Sequence, residues 1–267
     1  MLPKRNLIDL VHMKFLKQLL GVQTQTPNIG VLLETGRVPL LTYAIKNSIK
    51  NWYRIDVLNE CNQLTKLSFQ NMAEKDFDWV KNIRNLLNTI GCGNIMYDDT
   101  ERPEMEAFKR LVDIFHQNSF AEISKDTNKL RTYSLLKKEA GEEPYLNFVK
   151  NINDRISMTK FRLSNHKLMI EKGRHLNIDK EDRICPFCSI FEDENHFLLH
   201  CRTYAPLREI MLTKVEERLS ERLDYNNEEK MMKYLLGNKE ASPIVAKYLK
   251  NTMELRDFLV YKPKQLS

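Results

Sequence analysis

At 267 residues the chain can bury one large core or two smaller ones, which excludes a miniature crosslinked scaffold. Hydrophobic residues at 42% and charged residues at 29% exclude wholesale disorder. A net charge of +6 and a pI near 8.9 suit a polyanionic partner without requiring one.

The element order follows from apolar spacing and turn residues. From Leu7 to Leu20 apolar side chains fall at 7, 8, 10, 11, 15, 16, 19 and 20, a helical stripe that Gly21 is placed to end. Pro27 and an N-cap at Asn28 then predict a short helix stopping at Gly36, and Pro39 starts a third through Trp52 and Tyr53 to about Asn59. Further helical patterns cover 66–90, 103–117, 128–139 and 151–170, divided by GCGN, DDTERP and AGEEP. The stretch MYDDTERPE is the expected boundary in the first half. Beyond residue 201, helices are expected over Thr203–Leu223, Glu228–Leu236 and Pro243–Phe258. With only eight glycines, the fold class expected is mainly α, an irregular multi-helix assembly with a small CCHC zinc-binding insert. Its expected parts are 1–95, 96–180, 181–204 and 205–267.

The insert is RICPFCSIFEDENHFLLHC, residues 183–201, which holds three of the five cysteines and two of the six histidines. Cys185 and Cys188 have the spacing of a knuckle that aims two thiolates at one ion, with Pro186 fixing the turn. His196 and Cys201 complete C-x2-C-x7-H-x4-C, a donor set suited to a closed, structural, tetrahedral zinc. His200, four residues after His196, is an alternative fourth ligand on one helix face. Glu192, Asp193 and Glu194, being consecutive, read as a solvated helix start instead of ligands for a hard cation. Cys61 and Cys92 lie far from the insert and the total is odd, so a disulfide framework is a poor fit. The chain shows neither a signal peptide nor a run of about 18 apolar residues. An intracellular protein is therefore expected, in the nucleus or the cytoplasm, with no membrane partner.

Between Lys150 and Arg183 nine Lys or Arg stand against five Asp or Glu. Lys160, Arg162, His166, Lys167, Lys172, Arg174 and His175 are the candidate phosphate contacts, against the alternative of an ordinary solvated face. Lys4, Arg5, Lys14 and Lys17 form a second basic group with the same two readings.

The runs ISMTKFRLSNHKLMIEKGRHLNIDKEDRICPFC and EDENHFLLHCRTYAPLR resemble the C-terminal segment of non-LTR (LINE-type) retrotransposon reverse-transcriptase polyproteins. MKFLKQLLGVQTQTPNIGVLLETGRVPL looks like the helical stretch that follows the polymerase domain in such elements, and the likeness spans about residues 10–210. The resemblance implies Cys185, Cys188, His196 and Cys201 as zinc ligands, RNA or DNA as partner, and an upstream polymerase domain in any longer polyprotein. Polymerase chemistry needs paired carboxylates on a strand hairpin to hold two metal ions. Here Asp98 and Asp99 read as a polar turn before Pro103, so no catalytic centre and no small-molecule substrate are expected. The function expected is a zinc-containing, nucleic-acid-binding region without catalysis, the alternative being a zinc-stapled helical scaffold for protein interactions.

Overall fold

A computed structural model describes residues 7–56, 63–75, 77–96, 103–125 and 129–261. Among these the fold is helical throughout, and extended backbone pairs only at two isolated bridges, Thr35 with Glu142 and Ile184 with Phe191. The α-helices in the first half are α1 (Leu7–Leu20), α2 (Asn28–Glu34), α3 (Leu40–Asp56), α4 (Gln63–Glu74), α5 (Asp78–Thr89) and α6 (Pro103–Ile123). The second half holds α7 (Arg131–Leu136), α8 (Tyr145–Phe148), α9 (Ile152–Arg162), α10 (Met169–His175), α11 (Ala205–Leu219), α12 (Glu228–Gly237) and α13 (Ser242–Tyr261). The chain forms two compact units: Met1–His12 with Val38–Ser119, and Met13–Arg37 with Phe120–Ser267.

In the first unit Val80, Ile83 and Leu87 recur at three- and four-residue spacing, so α5 presents one apolar face. That face packs with Ile49 and Trp52 of α3 and Ala107 and Leu111 of α6. The continuous helix expected over 66–90 is two, because Phe77 is extended (φ −53°, ψ 146°) and Asp78 opens a new first turn. An acidic residue there complements the N-terminal end of the helix dipole, a signal that apolar spacing does not carry. The aspartates of the expected MYDDTERPE boundary, Asp98 and Asp99, lie outside the described residues.

The second unit is built on α13, against which α9, α11, α12 and α8 pack. Its core joins Met158 and Phe161 of α9 to Val245, Ala246 and Leu249 of α13, and it includes Cys185, Phe197, Cys201 and Tyr204 of the expected insert. The cysteine segment therefore shares the core of the helices on either side of it. Gly36 closes α2 at φ +62°, where an added Cβ would lie 2.4 Å from the Glu142 nitrogen, so only glycine lets the chain pass residues 141–142. The helix expected over 151–170 ends at Arg162. Ser164 takes a left-handed conformation (φ 51°), and the Asn165 N–H returns to the Lys160 carbonyl at 2.7 Å. Serine does here what glycine usually does at a helix end, so no glycine announced the stop. Asn28 is the first helical residue of α2 and Pro27 its cap, reversing the expected order.

Candidate metal centre and basic groove

The metal-ligand segment begins as a miniature hairpin. The Cys185 N–H donates to the Ile190 carbonyl at 2.7 Å, the Ser189 N–H to the Cys185 carbonyl at 3.0 Å, and Glu192 N–H to the Arg183 carbonyl at 2.8 Å. Ser189 adopts φ 55°, the left-handed turn that lets the chain double back after Cys188. On the other side the Asp193 carboxylate accepts from the His196 N–H at 2.8 Å and starts a single π turn, His196–His200. That turn closes with the Cys201 N–H on the His196 carbonyl at 2.7 Å. In a regular α-helix, residues five apart point about 140° away from each other. The wider turn brings His196 and Cys201 to one side, and such turns are frequent at functional sites.

Cys185, Cys188, His196 and Cys201 thus each offer a donor atom, all within 4.8 Å of one another, a group that could hold a metal ion. The sulfur of Cys201 lies 3.5 Å from that of Cys188 and 3.9 Å from that of Cys185. A disulfide needs about 2.05 Å, whereas sulfurs on a tetrahedral ion at about 2.3 Å from each stand about 3.8 Å apart. Cys185 and Cys201 are buried, as is His196, whose Nε2 has no hydrogen-bond partner among the described residues. A buried ring nitrogen without a partner is costly unless an ion completes it. Burial holds the His196 ring below the usual histidine range, giving the neutral form a ligand requires. Burial also pushes the Cys185 thiol up to about 12 and raises that of Cys201. For Cys188 burial acts upward too, but backbone hydrogen bonds from Arg202 and Thr203 and the neighbouring thiols outweigh it and bring it down. A cation in the site would reverse the two upward shifts, because coordinated thiols are deprotonated.

His200, the alternative ligand, points elsewhere: it is about half exposed and pairs with Glu228 at 3.1 Å. Around the four donors stand aromatic rings, with Phe197 and Tyr204 centroids 5.1 Å apart and Phe187 edge-on to Tyr204 at 6.0 Å.

The reading of Glu192–Glu194 as a solvated helix start is wrong for both glutamates, which are buried. Glu192 receives both prongs of Arg256 on α13, at 3.1 and 2.7 Å, plus the Met169 N–H at 2.6 Å. Glu194 receives Arg131 at 2.7 Å on each oxygen and the His166 Nε2 at 2.9 Å. Burial alone would raise the Glu194 carboxyl; the His166 hydrogen bond and the Arg131 charge more than reverse this and hold it far below the usual range. Consecutive acids look solvated in a sequence because their arginines, at 131 and 256, are distant along the chain.

The candidate phosphate contacts separate into two groups. Arg162 is fully buried: it holds Glu34 at 2.7 and 3.3 Å, Glu143, and the Leu236 carbonyl at 2.6 Å, between the rings of Tyr133 and Tyr145. It cannot reach a phosphate backbone and is corrected to a core residue. Arg174 stands next to Glu171 at 3.6 Å and does not join the others. Lys160, His166, Lys167, Lys172 and His175 do converge, lining one groove of about 520 Å³. Within it the His166 side chain is 3% exposed and committed to Glu194, so it is a wall element more than a surface contact. Sequence reasoning missed Lys129 and Lys250, which line the same groove. The spacing 250, 254, 257 and 261 on one helix face was the available signal for the α13 side. In the second basic group Lys17 is buried, donating to the Thr24 carbonyl at 2.6 Å, while Lys4 and Arg5 lie outside the described residues. Among the described residues no helix is long and apolar enough to cross a membrane. Comparison with protein-family models, with curated proteins and with solved structures found no match.

Proposed function

We propose that this chain is a nucleic-acid-binding region whose Cys185, Cys188, His196 and Cys201 hold a structural zinc ion. It would act as the non-catalytic C-terminal part of a retrotransposon-like reverse transcriptase, engaging RNA or DNA. The observation that carries the reading is the convergence of three sulfurs and one imidazole within 4.8 Å, three of the four residues buried. Such a soft, four-donor, tetrahedral set favours zinc over magnesium or calcium and leaves no open position for substrate. The lysine-lined groove in the same unit supports the nucleic-acid part, because phosphate binding needs clustered cations. The family part rests on the resemblance of the sequence runs around the knuckle.

One experiment tests both halves: metal analysis of the purified full chain, followed by titration into labelled RNA and DNA at about 50 and about 200 mM salt. The expected result is one zinc per chain and binding that weakens steeply with salt. A chain that folds without metal refutes the zinc assignment. A zinc-loaded chain that binds neither nucleic acid at the lower salt refutes the nucleic-acid reading. The scaffold alternative is favoured by one feature of the second unit, the exposed Phe15 and Leu19 one turn apart on α1, since exposed apolar surface marks interaction sites.

A further inference from the structure

The groove has an inner and an outer set of cations. Lys129, Lys160, Lys172 and Lys250 are half-buried, whereas Lys167 and His175 stand exposed at its edge. Its acids are largely occupied: Asp257 pairs with Lys167 at 2.7 Å, and Glu171 with Arg131 at 2.7 Å and Arg174 at 3.6 Å. Glu254 lies 3.9 Å from Lys250. Among the described residues no carboxylate comes within ion-pair distance of Lys129, Lys160 or Lys172, and burial lowers the ammonium of Lys129, a cost that an arriving phosphate would offset.

One wall of the groove is the α13 face carrying Lys250, Glu254 and Asp257, and the next position on that face is Tyr261. Tyr261 is half exposed; the Lys172 ammonium sits 5.1 Å from its ring centre and donates to its hydroxyl at 3.2 Å, and that of Lys167 sits 5.6 Å from the ring centre. An exposed aromatic ring flanked by ammonium groups is the arrangement on which an unpaired base stacks while its phosphates meet the cations.

Size separates one strand from two. A volume of about 520 Å³ cannot take in the body of a duplex, whose major groove alone is about 12 Å wide. A duplex would reach the edge residues Lys167 and His175 and leave the half-buried lysines untouched, and its bases, stacked inside the helix, could not meet Tyr261.

From this geometry, and resting on the nucleic-acid reading above, we infer that the groove holds a single strand of RNA or DNA. Its phosphates sit on Lys129, Lys160 and Lys250, and one base stacks against Tyr261. The test uses the full zinc-loaded chain and fluorescence anisotropy with a labelled single-stranded oligonucleotide and the duplex of the same sequence. Wild type binds the single strand more tightly, with a loss of about twenty-fold between about 50 and 200 mM salt for three phosphate contacts. Lys160→Glu with Lys250→Glu weakens this binding by more than about ten-fold and flattens the salt dependence. Tyr261→Ala weakens it by about five-fold or more at unchanged salt dependence, and Tyr261→Phe restores it. Lys214→Glu with Arg222→Glu, two exposed residues outside the groove, changes net charge equally and leaves binding near wild type. Thermal unfolding confirms that each variant is folded. If the groove variants bind as wild type does, or the control pair weakens binding equally, the groove is not the site and the broader reading stands. A tighter duplex overturns the single-strand assignment. A wild-type chain that binds neither form overturns both.

Discussion

Replacing Arg162 by alanine separates a structural role from a contact role at one residue. The guanidinium is fully buried and holds both oxygens of Glu34, itself fully buried. Truncation strands that carboxylate. Neutralising an ordinary glutamate at pH 7 costs about 3.7 kcal/mol, from about 2.7 pH units at 1.36 kcal/mol each. Removing one partner of a buried ion pair costs about 3–5 kcal/mol, because the other charge is left uncompensated. The two routes agree on about 4 kcal/mol for Arg162→Ala. With a urea dependence of about 2 kcal/mol per molar, the unfolding midpoint falls by about 2 M. Far-UV circular dichroism follows the helices of both units, while tryptophan fluorescence reads the first unit, to which both Trp52 and Trp79 belong. Replacing the pair together, Arg162→Met with Glu34→Leu, recovers most of the loss, because no charge is then left buried without a partner. An Arg162→Ala chain whose dichroism midpoint is unmoved but whose nucleic-acid binding is gone would refute the burial argument and return Arg162 to the surface.

Four other outcomes follow from the same geometry. Stripping metal with a strong chelator, or Cys185→Ser, removes binding energy on the order of 10 kcal/mol from the knuckle; the near-UV dichroism of the Phe187, Phe197 and Tyr204 cluster collapses, and re-adding zinc restores it only to the wild-type chain. His200→Ala keeps full zinc content and changes stability by less than about 1 kcal/mol, since its pair with Glu228 is exposed, whereas Cys201→Ala loses the metal. Because burial raises the Cys185 and Cys201 thiols, both carry protons at pH 7, so zinc titration in weak buffer releases at least about two protons per ion and affinity falls as pH falls; no proton release would contradict thiolate ligation. Gly36→Ala destabilises by more than about 2 kcal/mol, the left-handed backbone penalty adding to a Cβ placed 2.4 Å from the Glu142 nitrogen, and a thermal melt reads the shift.

What the sequence discloses is what short-range chemistry determines. Helix α1 with its glycine stop, α12, and α13 to within a few residues follow from spacing and caps, and the knuckle follows from two cysteines three positions apart. The break at Ser164 was hidden because serine took a glycine conformation. The two helices within 66–90 were hidden because the interruption at Phe77 carries no proline or glycine. Charge was the least legible property. Arg162, Glu192 and Glu194 have the composition of a surface, yet their partners lie 128, 64 and 63 residues away, at Glu34, Arg256 and Arg131. No local pattern reports such a pairing, and so a core residue and an edge residue such as Lys167 looked alike.

The acids between the sulfurs reach further than the sulfurs do. Glu192 grips Arg256, next in sequence to Asp257 on the wall where Tyr261 stands, and Glu194 grips His166, which lines the same groove. An ion that stiffens residues 185–201 would consequently brace the channel at two points. Starving the chain of zinc would slacken its hold on a strand even though none of the residues touching that strand had changed.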